Sequence, residues 1–301
     1  MKLRTFLLGL LCLVSAAELR AASQINVTTT VGMVADMVKQ VGGDRVKVLG
    51  LMGPGVDPHL YKATASDVAK LRRANVIFYN GLMLEGKMTD ILMKLKRPKK
   101  HVYAISDSVA KSTLLKPAEF EGHYDPHLWF DVALWSQCVD TVVKGLSAYS
   151  RADAFGFARR GAGLKARLAK LHEWATQRAN ELPKARRILI TSHDAYNYFG
   201  RAYGFTVIGL QGVSTVTEAG LKDMASMVDY IRKHGVRAIF VESSVSPAAI
   251  RRISEDAGVQ IGGELFSDAM GTPGQMEKGY DVGTYEGMIR HNLNTIVDAL
   301  K

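Results

Sequence analysis

The sequence predicts an α/β protein of two lobes, each a mostly parallel sheet flanked by helices, joined by one long backbone helix. Short apolar strand segments alternate with helical segments in two blocks, assigned to an N-terminal lobe at residues 24–150 and a C-terminal lobe at residues 184–301. Such alternation is typical of parallel sheets covered by helices on both faces. Between the blocks, residues 151–183 have helical periodicity and no strand pattern.

Residues 1–23 are predicted to form a secretory signal peptide. Lys2 and Arg4 precede a short apolar run, Phe6–Val14, and small residues follow it. This order is typical of secretory signals, and the run is about half of the roughly 20 residues that a membrane-spanning helix needs. We therefore expect the mature chain to work outside the cytoplasm, in the periplasm or at the cell surface.

The two cysteines bear on two questions, lipid anchoring and disulfide formation. A lipid anchor on Cys12 is an alternative to simple cleavage, but it is not favoured because Leu11 is large where lipoprotein processing needs a small residue. After removal of residues 1–23, Cys138 is the one remaining cysteine. A single cysteine cannot form an internal disulfide, so the fold must be stabilised by its apolar core.

In the N-terminal block, strands and helices alternate regularly. The predicted strands are Ile25–Thr30, Val46–Met52, Val76–Tyr79 and Val102–Ile105, and the predicted helices are Val31–Val41, Ala65–Arg73 and Lys87–Leu95. Gly42 and Gly43 end the first helix, as glycine commonly does.

The connector is predicted to be one helix of about 30 residues over Ala152–Leu182, with a break near Gly161–Gly163 as an option. Its apolar residues recur at helical spacing, charged residues fill the other face, and Pro183 ends the pattern. A continuous helix of that length would span about 45 Å, enough to reach along both lobes. Such a rigid connector would limit lobe motion to a small rocking.

The C-terminal block repeats the alternation and ends in a further helix. The predicted strands are Arg187–Thr191, Thr206–Leu210, Ala238–Glu242 and Val259–Gly262, and the helices between them are Asp194–Tyr203, Glu218–Lys233 and Pro247–Asp256. Ser246 and Pro247 supply the cap and first-turn proline of the last of these helices.

The formal net charge of +10 does not by itself indicate nucleic-acid binding. The basic pairs are scattered along the chain and are not interleaved with aromatic residues that could form a base-stacking platform. We interpret them as solvated surface and expect no nucleic-acid partner.

Two identical tripeptides provide the first candidate site residues. Asp57-Pro58-His59 follows the second predicted strand, and Asp125-Pro126-His127 follows a long loop. Proline fixes its own φ and restricts the residue before it, so each histidine lies on a stiff chain. Stiffness suits an imidazole that must be oriented before an ion arrives, although both aspartates could simply cap backbone N–H groups.

The C-terminal block offers a matching pair of polar residues, His193 and Asp268, each just past a predicted strand. Ligands of parallel α/β sheets bind outside the carboxyl ends of the strands. Two facing lobes would therefore bring His59 and His127 opposite this pair. Three imidazoles and one carboxylate form a closed ligand set for a borderline divalent cation.

The remaining candidates are weaker. Glu242 ends a predicted strand and is expected either to orient a ligand imidazole or to cap buried backbone. His123 and His127 are four residues apart, but Pro126 argues against a shared helical face. The other histidines are interpreted as structural or surface residues.

Several longer motifs carry a family resemblance. The segments GLMGPGVDPHLYKATASDVAKL, DPHLWFDVALWS, HDAYNYFGRAYGF, GLQGVSTVTEAG and GGELFSDAMG resemble the TroA-type metal-binding solute-binding proteins of ABC importers. The likeness extends from about Ile25 to Leu300. It implies two lobes joined by a long helix, a metal site of His59, His127, His193 and Asp268, and a membrane permease with a cytoplasmic ATPase as partners.

The resemblance also limits the metal. Dedicated zinc importers of this superfamily often carry a histidine-rich acidic loop, whereas residues 106–124 contain only His123. Manganese-type relatives often use glutamate as third ligand, and this chain has His193 there. We therefore expect Zn²⁺ or Mn²⁺ as cargo, with Fe²⁺ as a further option. The chain is expected to be a monomer without enzymatic activity.

Three alternatives from other functional classes stay open. A binding protein for an organic ligand, of similar two-lobe form, would need a broad aromatic or arginine-lined cleft, which the candidate site loops do not suggest. A secreted zinc hydrolase would need an open coordination position and a general base, and the sequence contains no HExxH motif. A surface adhesin would use the metal only to stabilise its fold, and its cell binding would survive His59→Ala and His127→Ala.

Overall fold

The computed structural model describes residues 23–96 and 100–301. The predicted signal peptide, including Cys12, lies outside these residues apart from its final Ser23. Within the described part, no helix combines the length and the apolar character that crossing a bilayer requires.

The N-terminal lobe is built on a four-stranded parallel sheet in the order β2-β1-β3-β4. Its elements are β1 (Ile25–Thr29), α1 (Gly32–Gly42), β2 (Val46–Gly50), α2 (Ala65–Arg73), β3 (Val76–Tyr79), α3 (Met88–Leu95) and β4 (His101–Ala104). All four residues of β3 are buried, as expected of a central strand covered on both faces. Each predicted strand and helix of this block is therefore present, with small shifts at its ends.

A helix that the sequence patterns did not identify follows this sheet along the chain, α4 (Val132–Tyr149). The Asp131 side chain caps it by accepting a hydrogen bond from the Leu134 N–H at 3.1 Å. Its buried residues include Trp135, Cys138 and Val142, which share one helical face. A capping aspartate followed by apolar residues at helical spacing could have predicted α4 from the sequence.

The connector is one unbroken helix, α5 (Ala154–Asn180, 27 residues), preceded by a 3₁₀ turn at Arg151–Asp153. The optional break at Gly161–Gly163 is absent. Gly161 serves close packing instead, because a Cβ there would lie only 2.5 Å from Cγ2 of Val143 on α4. The missing side chain lets the two helices approach each other.

The C-terminal lobe contains two parallel strand pairs, β5-β6 and β7-β8, with β5 next to β7. Its elements are β5 (Ile188–His193), α6 (Asn197–Tyr203), β6 (Thr206–Gln211), α7 (Leu221–His234), β7 (Ala238–Glu242), α8 (Ala248–Ala257), β8 (Gln260–Leu265), β9 (Met276–Glu277), β10 (Tyr280–Asp281) and α9 (Tyr285–Leu300). The predicted alternation is confirmed. The short antiparallel hairpin of β9 and β10 was not predicted.

One apolar core extends from the first lobe through α4 and α5 into the second. Phe130 stacks on Tyr196 with 4.2 Å between ring centroids, and Trp135 stacks on Tyr285 at 5.6 Å. Both pairs join residues of different lobes. A smaller core lies beneath α7 and α8. Separating the lobes widely would expose the shared core to water, so the packing favours small relative movements.

Candidate metal centre

The structure brings together all four residues predicted as metal ligands. His59 lies in the loop after β2, and His127 directly precedes a 3₁₀ turn at Leu128–Phe130. His193 is the last residue of β5, and Asp268 follows the end of β8 by three residues. All four are at most 7% exposed.

The separations within this cluster suit a small cation. The Nε2 atoms of His59 and His127 are 3.2 Å apart. Asp268 Oδ1 lies 3.3 Å from Nε2 of His127. Asp268 Oδ2 lies 3.3 Å from Nε2 of His193 and 3.8 Å from Nε2 of His59. Four ligands of a tetrahedral zinc ion lie about 3.3 Å from one another. One potential ligand atom from each of the four residues lies within 4.8 Å of the other three. Among the described residues, no other group of three or more His, Cys, Asp or Glu side chains comes together in this way.

Several polar atoms of the cluster have no hydrogen-bond partner among the described residues. These atoms are both carboxylate oxygens of Asp268 and Nε2 of His193. The 3.3 Å contact between Nε2 of His193 and Oδ2 of Asp268 is an ionic contact and not a hydrogen bond. Buried polar atoms without partners are costly and uncommon. A cation bound between them would satisfy all three, so the donor set fits a divalent metal.

Two buried carboxylates orient two of the imidazoles from behind. Asp125 Oδ1 lies 2.8 Å from Nδ1 of His127, and Glu242 Oε2 lies 2.6 Å from Nδ1 of His193. A carboxylate on Nδ1 fixes that nitrogen as the protonated one and directs the Nε2 lone pair toward the ion. Glu242 also accepts a hydrogen bond from the His193 backbone N–H at 3.0 Å. Glu242 therefore contacts both the imidazole and the backbone of His193.

Asp125 is a site residue whose role sequence reasoning underestimated. Its carboxylate caps the backbone N–H of His127 at 2.9 Å, as the capping interpretation expected. The same oxygen binds the imidazole, which the capping interpretation did not include. Asp57 caps the backbone N–H of His59 at 2.8 Å. Because the Asp-Pro-His tripeptide occurs twice, the sequence could have indicated that Asp57 and Asp125 share a role.

The electrostatics divide the histidines into two kinds. Burial lowers the pKa of His59 to about 3 and outweighs the attraction of Asp268. Burial also opposes the charged form of His127, but Asp125 and Asp268 outweigh it and raise the pKa to about 9. Glu242 and Asp268 likewise overcome burial and raise the pKa of His193 well above its ordinary value.

Asp268 is the charged centre of the cluster. Burial alone would raise the pKa of this carboxyl, but attraction to His193 and His127 holds it well below its usual range. Without an ion, Asp268 is therefore ionised and lies between two imidazoles that hold extra protons at neutral pH. A cation bound by this cluster would displace these protons and take over their attraction to Asp268.

The other histidines lie outside the cluster, as expected. His101 lies 3.1 Å from the Tyr103 hydroxyl, His172 lies 3.4 Å from the Tyr203 hydroxyl, and His291 lies 3.0 Å from the Glu264 carbonyl. His123 and His234 are exposed.

Comparison with known proteins decides the family. The family described as "ZnuA: Zinc-uptake complex component A periplasmic" matches residues 27–299. The chain belongs to this family. Manganese-binding lipoprotein MntA of Bacillus subtilis (strain 168) is 44% identical over 295 residues, which cover 96% of this chain and 94% of MntA. Zinc-binding protein TroA of Treponema pallidum (strain Nichols) is 47% identical over 279 residues, 91% of this chain and 88% of TroA.

Further members of the family agree in function class and fold. The metal ABC transporter substrate-binding lipoprotein SloC of Streptococcus mutans serotype c is 30% identical over 299 residues, 98% of this chain and 95% of SloC. The solved structure of periplasmic zinc-binding protein TroA from Treponema pallidum superposes with a TM-score of 0.87 at 45% identity, covering 92% of this chain and 99% of that one.

Family membership confirms the resemblance, the fold class and the function class that the sequence predicted. Members of this family are the extracytoplasmic solute-binding components of metal importers of the ABC type, which work with a membrane permease and an ATPase. The roles of single residues in this chain remain predictions.

Proposed function

We propose that this chain captures one divalent transition-metal ion between its lobes and delivers it to its importer without chemical change. The proposed ligands are the three imidazoles of His59, His127 and His193 and the carboxylate of Asp268. The convergence of four buried ligand atoms within 4.8 Å carries this proposal. Glu242 and Asp125 are proposed to orient the ligands His193 and His127.

Zn²⁺ and Mn²⁺ are the proposed cargo, and Fe²⁺ fits the same donors. A set of three nitrogens and one oxygen at tetrahedral spacing favours zinc, which also precedes manganese in intrinsic affinity for most sites. The supply outside the cytoplasm then decides which metal the protein carries. The names of the two relatives at 44% and 47% identity, one for manganese and one for zinc, agree with a site that takes both.

The absence of enzymatic activity is part of this proposal. Four protein ligands complete a tetrahedron, whereas a catalytic zinc keeps one position for water or substrate. The burial of all four ligands, each at most 7% exposed, also leaves little access for a substrate. A hydrolase is therefore the weaker alternative.

Three finer expectations complete the proposal. The functional unit is a monomer, and the chain divides at residues 24–150, 151–183 and 184–301. The third concerns a lipid anchor on Cys12. Relatives named lipoproteins support such an anchor, whereas the large Leu11 disfavours lipoprotein processing at this position. Mass spectrometry of protein from native membranes tests this point, because an anchored chain begins at an acylated Cys12.

Metal analysis of chelator-stripped and reloaded mature protein tests the central claim. We expect one Zn²⁺ or Mn²⁺ ion per chain in the wild type, competition among Zn²⁺, Mn²⁺ and Fe²⁺ for one site, and severe loss of binding in Asp268→Ala. The exposed His234 gives a matched control, and His234→Ala should bind like the wild type. A wild-type protein that holds no stoichiometric metal after reloading contradicts the proposal.

A further inference from the structure

Each aspartate of the repeated Asp-Pro-His tripeptide divides its carboxylate between the two lobes. Asp57 uses Oδ1 to accept the His59 backbone N–H at 2.8 Å, and its Oδ2 accepts the Thr215 hydroxyl of the other lobe at 2.6 Å. Asp125 uses Oδ1 for the backbone and imidazole of His127, and its Oδ2 accepts the Asn197 side-chain amide at 3.2 Å. One oxygen thus holds a ligand histidine, and the other binds the opposite lobe.

The Thr215 contact is a single, well-defined link. Thr215 lies in the segment at residues 212–220 between β6 and α7, which we call the flap. Thr215 is 6% exposed, while the next residue, Val216, is 66% exposed. The flap therefore lies at the surface and inserts one hydroxyl against the aspartate that supports His59.

The Asn197 contact is shared with other groups. Its amide also donates to the Asp194 carbonyl at 3.2 Å. The neighbouring Tyr198 hydroxyl donates to the Asp125 carbonyl at 2.9 Å, which adds a second bond between the lobes at this point. Loss of the Asn197 amide alone therefore removes only part of the support behind His127.

We propose that Thr215 and Asn197 are positioning residues through which the C-terminal lobe sets the lifetime of the bound ion. This inference rests on the proposed metal-binding function. Hydrogen bonds from these two residues hold Asp57 and Asp125, and the aspartates hold the N-terminal ligands in the geometry of the closed site. A small displacement of the flap breaks the Thr215 bond and loosens His59, so the ion can leave without the wide opening that the shared core opposes.

The test compares Thr215→Val with Thr215→Ser in otherwise wild-type mature protein. Valine keeps the shape of threonine but removes the hydroxyl, and serine keeps the hydroxyl. The readout is the rate at which Zn²⁺ passes from loaded protein to excess chromophoric chelator in a stopped-flow experiment. A hydrogen bond to a carboxylate contributes enough to change a rate about 10- to 100-fold. We expect acceleration of that size in Thr215→Val and near wild-type release in Thr215→Ser.

Two further variants and one further measurement separate positioning from simple folding effects. Thr217→Val, at an exposed flap position, should release Zn²⁺ like the wild type. Asn197→Ala should accelerate release less than Thr215→Val, because Tyr198 remains in place. The metal-free Thr215→Val protein should still unfold in one cooperative transition, with its melting temperature lowered by no more than loss of one hydrogen bond explains.

Unchanged release in Thr215→Val, or equal acceleration in Thr215→Val and Thr215→Ser, overturns the inference while leaving the metal site intact. A wild-type protein that never takes up Zn²⁺ is a different result, since it contradicts the proposed function itself.

Discussion

The carboxylates of this site face the imidazoles from two different sides. Asp268 lies among the Nε2 atoms, while Asp125 and Glu242 bind Nδ1 atoms from behind. The first position places negative charge where the ion is proposed to bind. The second fixes the tautomer and ring orientation of the ligand. The same residue type therefore has different effects on metal affinity according to which nitrogen it faces.

Glu242→Gln should weaken Zn²⁺ binding by about 10- to 100-fold, the usual effect of losing a carboxylate behind a ligand histidine. A glutamine has one acceptor oxygen in place of two, so it cannot serve both the backbone and Nδ1 of His193. Competition with a chelator of known affinity measures the change. Glu264→Gln, at an exposed position, is the matched control. Unchanged affinity with lowered stability of the metal-free protein would assign Glu242 to capping alone.

Metal affinity should rise with pH across the neutral range and up to about pH 9. With the pKa of His127 raised to about 9 and that of His193 also raised, the metal-free protein holds protons that the ion must displace. As pH rises these protons are lost, so they compete less with the metal. The metal affinity should therefore rise about 10-fold per pH unit if one proton is displaced and about 100-fold if two are displaced. His59 contributes nothing there, because its pKa is about 3.

Calorimetry in buffers of different ionisation enthalpy counts the protons released, and we expect between one and two at pH 7. Imidazoles with the ordinary histidine pKa of about 6.5 would lose affinity only below about that pH. The carboxylates behind the imidazoles move the transition upward. Binding that stays constant from pH 5 to 7.5 would contradict the ligand set.

Among the helices, the contact between α4 and α5 depends on one glycine. Gly161 on α5 lies against Val143 and Val139 of α4, and a Cβ there would approach Val143 Cγ2 to 2.5 Å. Helices that pack this closely need a small residue at the crossing point, since the interior has no space for another methyl group.

Gly161→Ala should destabilise the protein by about 1–3 kcal/mol, because the added methyl forces the two helices apart. Gly163, two residues along the same helix, is exposed, and the nearest atom to its added Cβ is a side-chain nitrogen of Arg167 at 3.8 Å. Gly163→Ala should therefore stabilise by about 0.5–1 kcal/mol through helix propensity. Urea unfolding of both metal-free variants measures the difference. Equal effects would show that the crossing tolerates a methyl group.

In the whole molecule, the shared core and the metal site join the same two lobes. Aromatic pairs such as Phe130 and Tyr196 cross between the lobes, and the proposed ligands come from both. An ion bound by these ligands would add a further link between parts that already share apolar packing. This arrangement favours capture with slight rocking over a wide hinge motion.

Saturating Zn²⁺ should raise the melting temperature of the whole chain in one transition. At 100 times the dissociation constant, binding adds about 2.7 kcal/mol of stability, which corresponds to about 5–10 °C for a protein of this size class. Scanning calorimetry of the wild type and His234→Ala should show this shift, and Asp268→Ala should largely lose it. Two separate transitions with only one shifted would show that the lobes unfold independently.

The sequence by itself determined the local structure and the identity of the candidate ligands. Strand and helix alternation depends on residue spacing along the chain, so β1 to β8 and most helices could be predicted from periodicity. His59, His127, His193 and Asp268 could be singled out because parallel strands present such residues at one edge.

Only the tertiary structure decided how those residues are supported. Glu242 meets His193 across 49 residues of sequence, and Thr215 meets Asp57 across 158. The approach at Gly161 depends equally on a neighbouring helix that local patterns had not revealed. Hydrogen bonds and steric contacts of this kind depend on distance in space. No periodicity along the chain encodes them, because they exist only once the lobes have packed together.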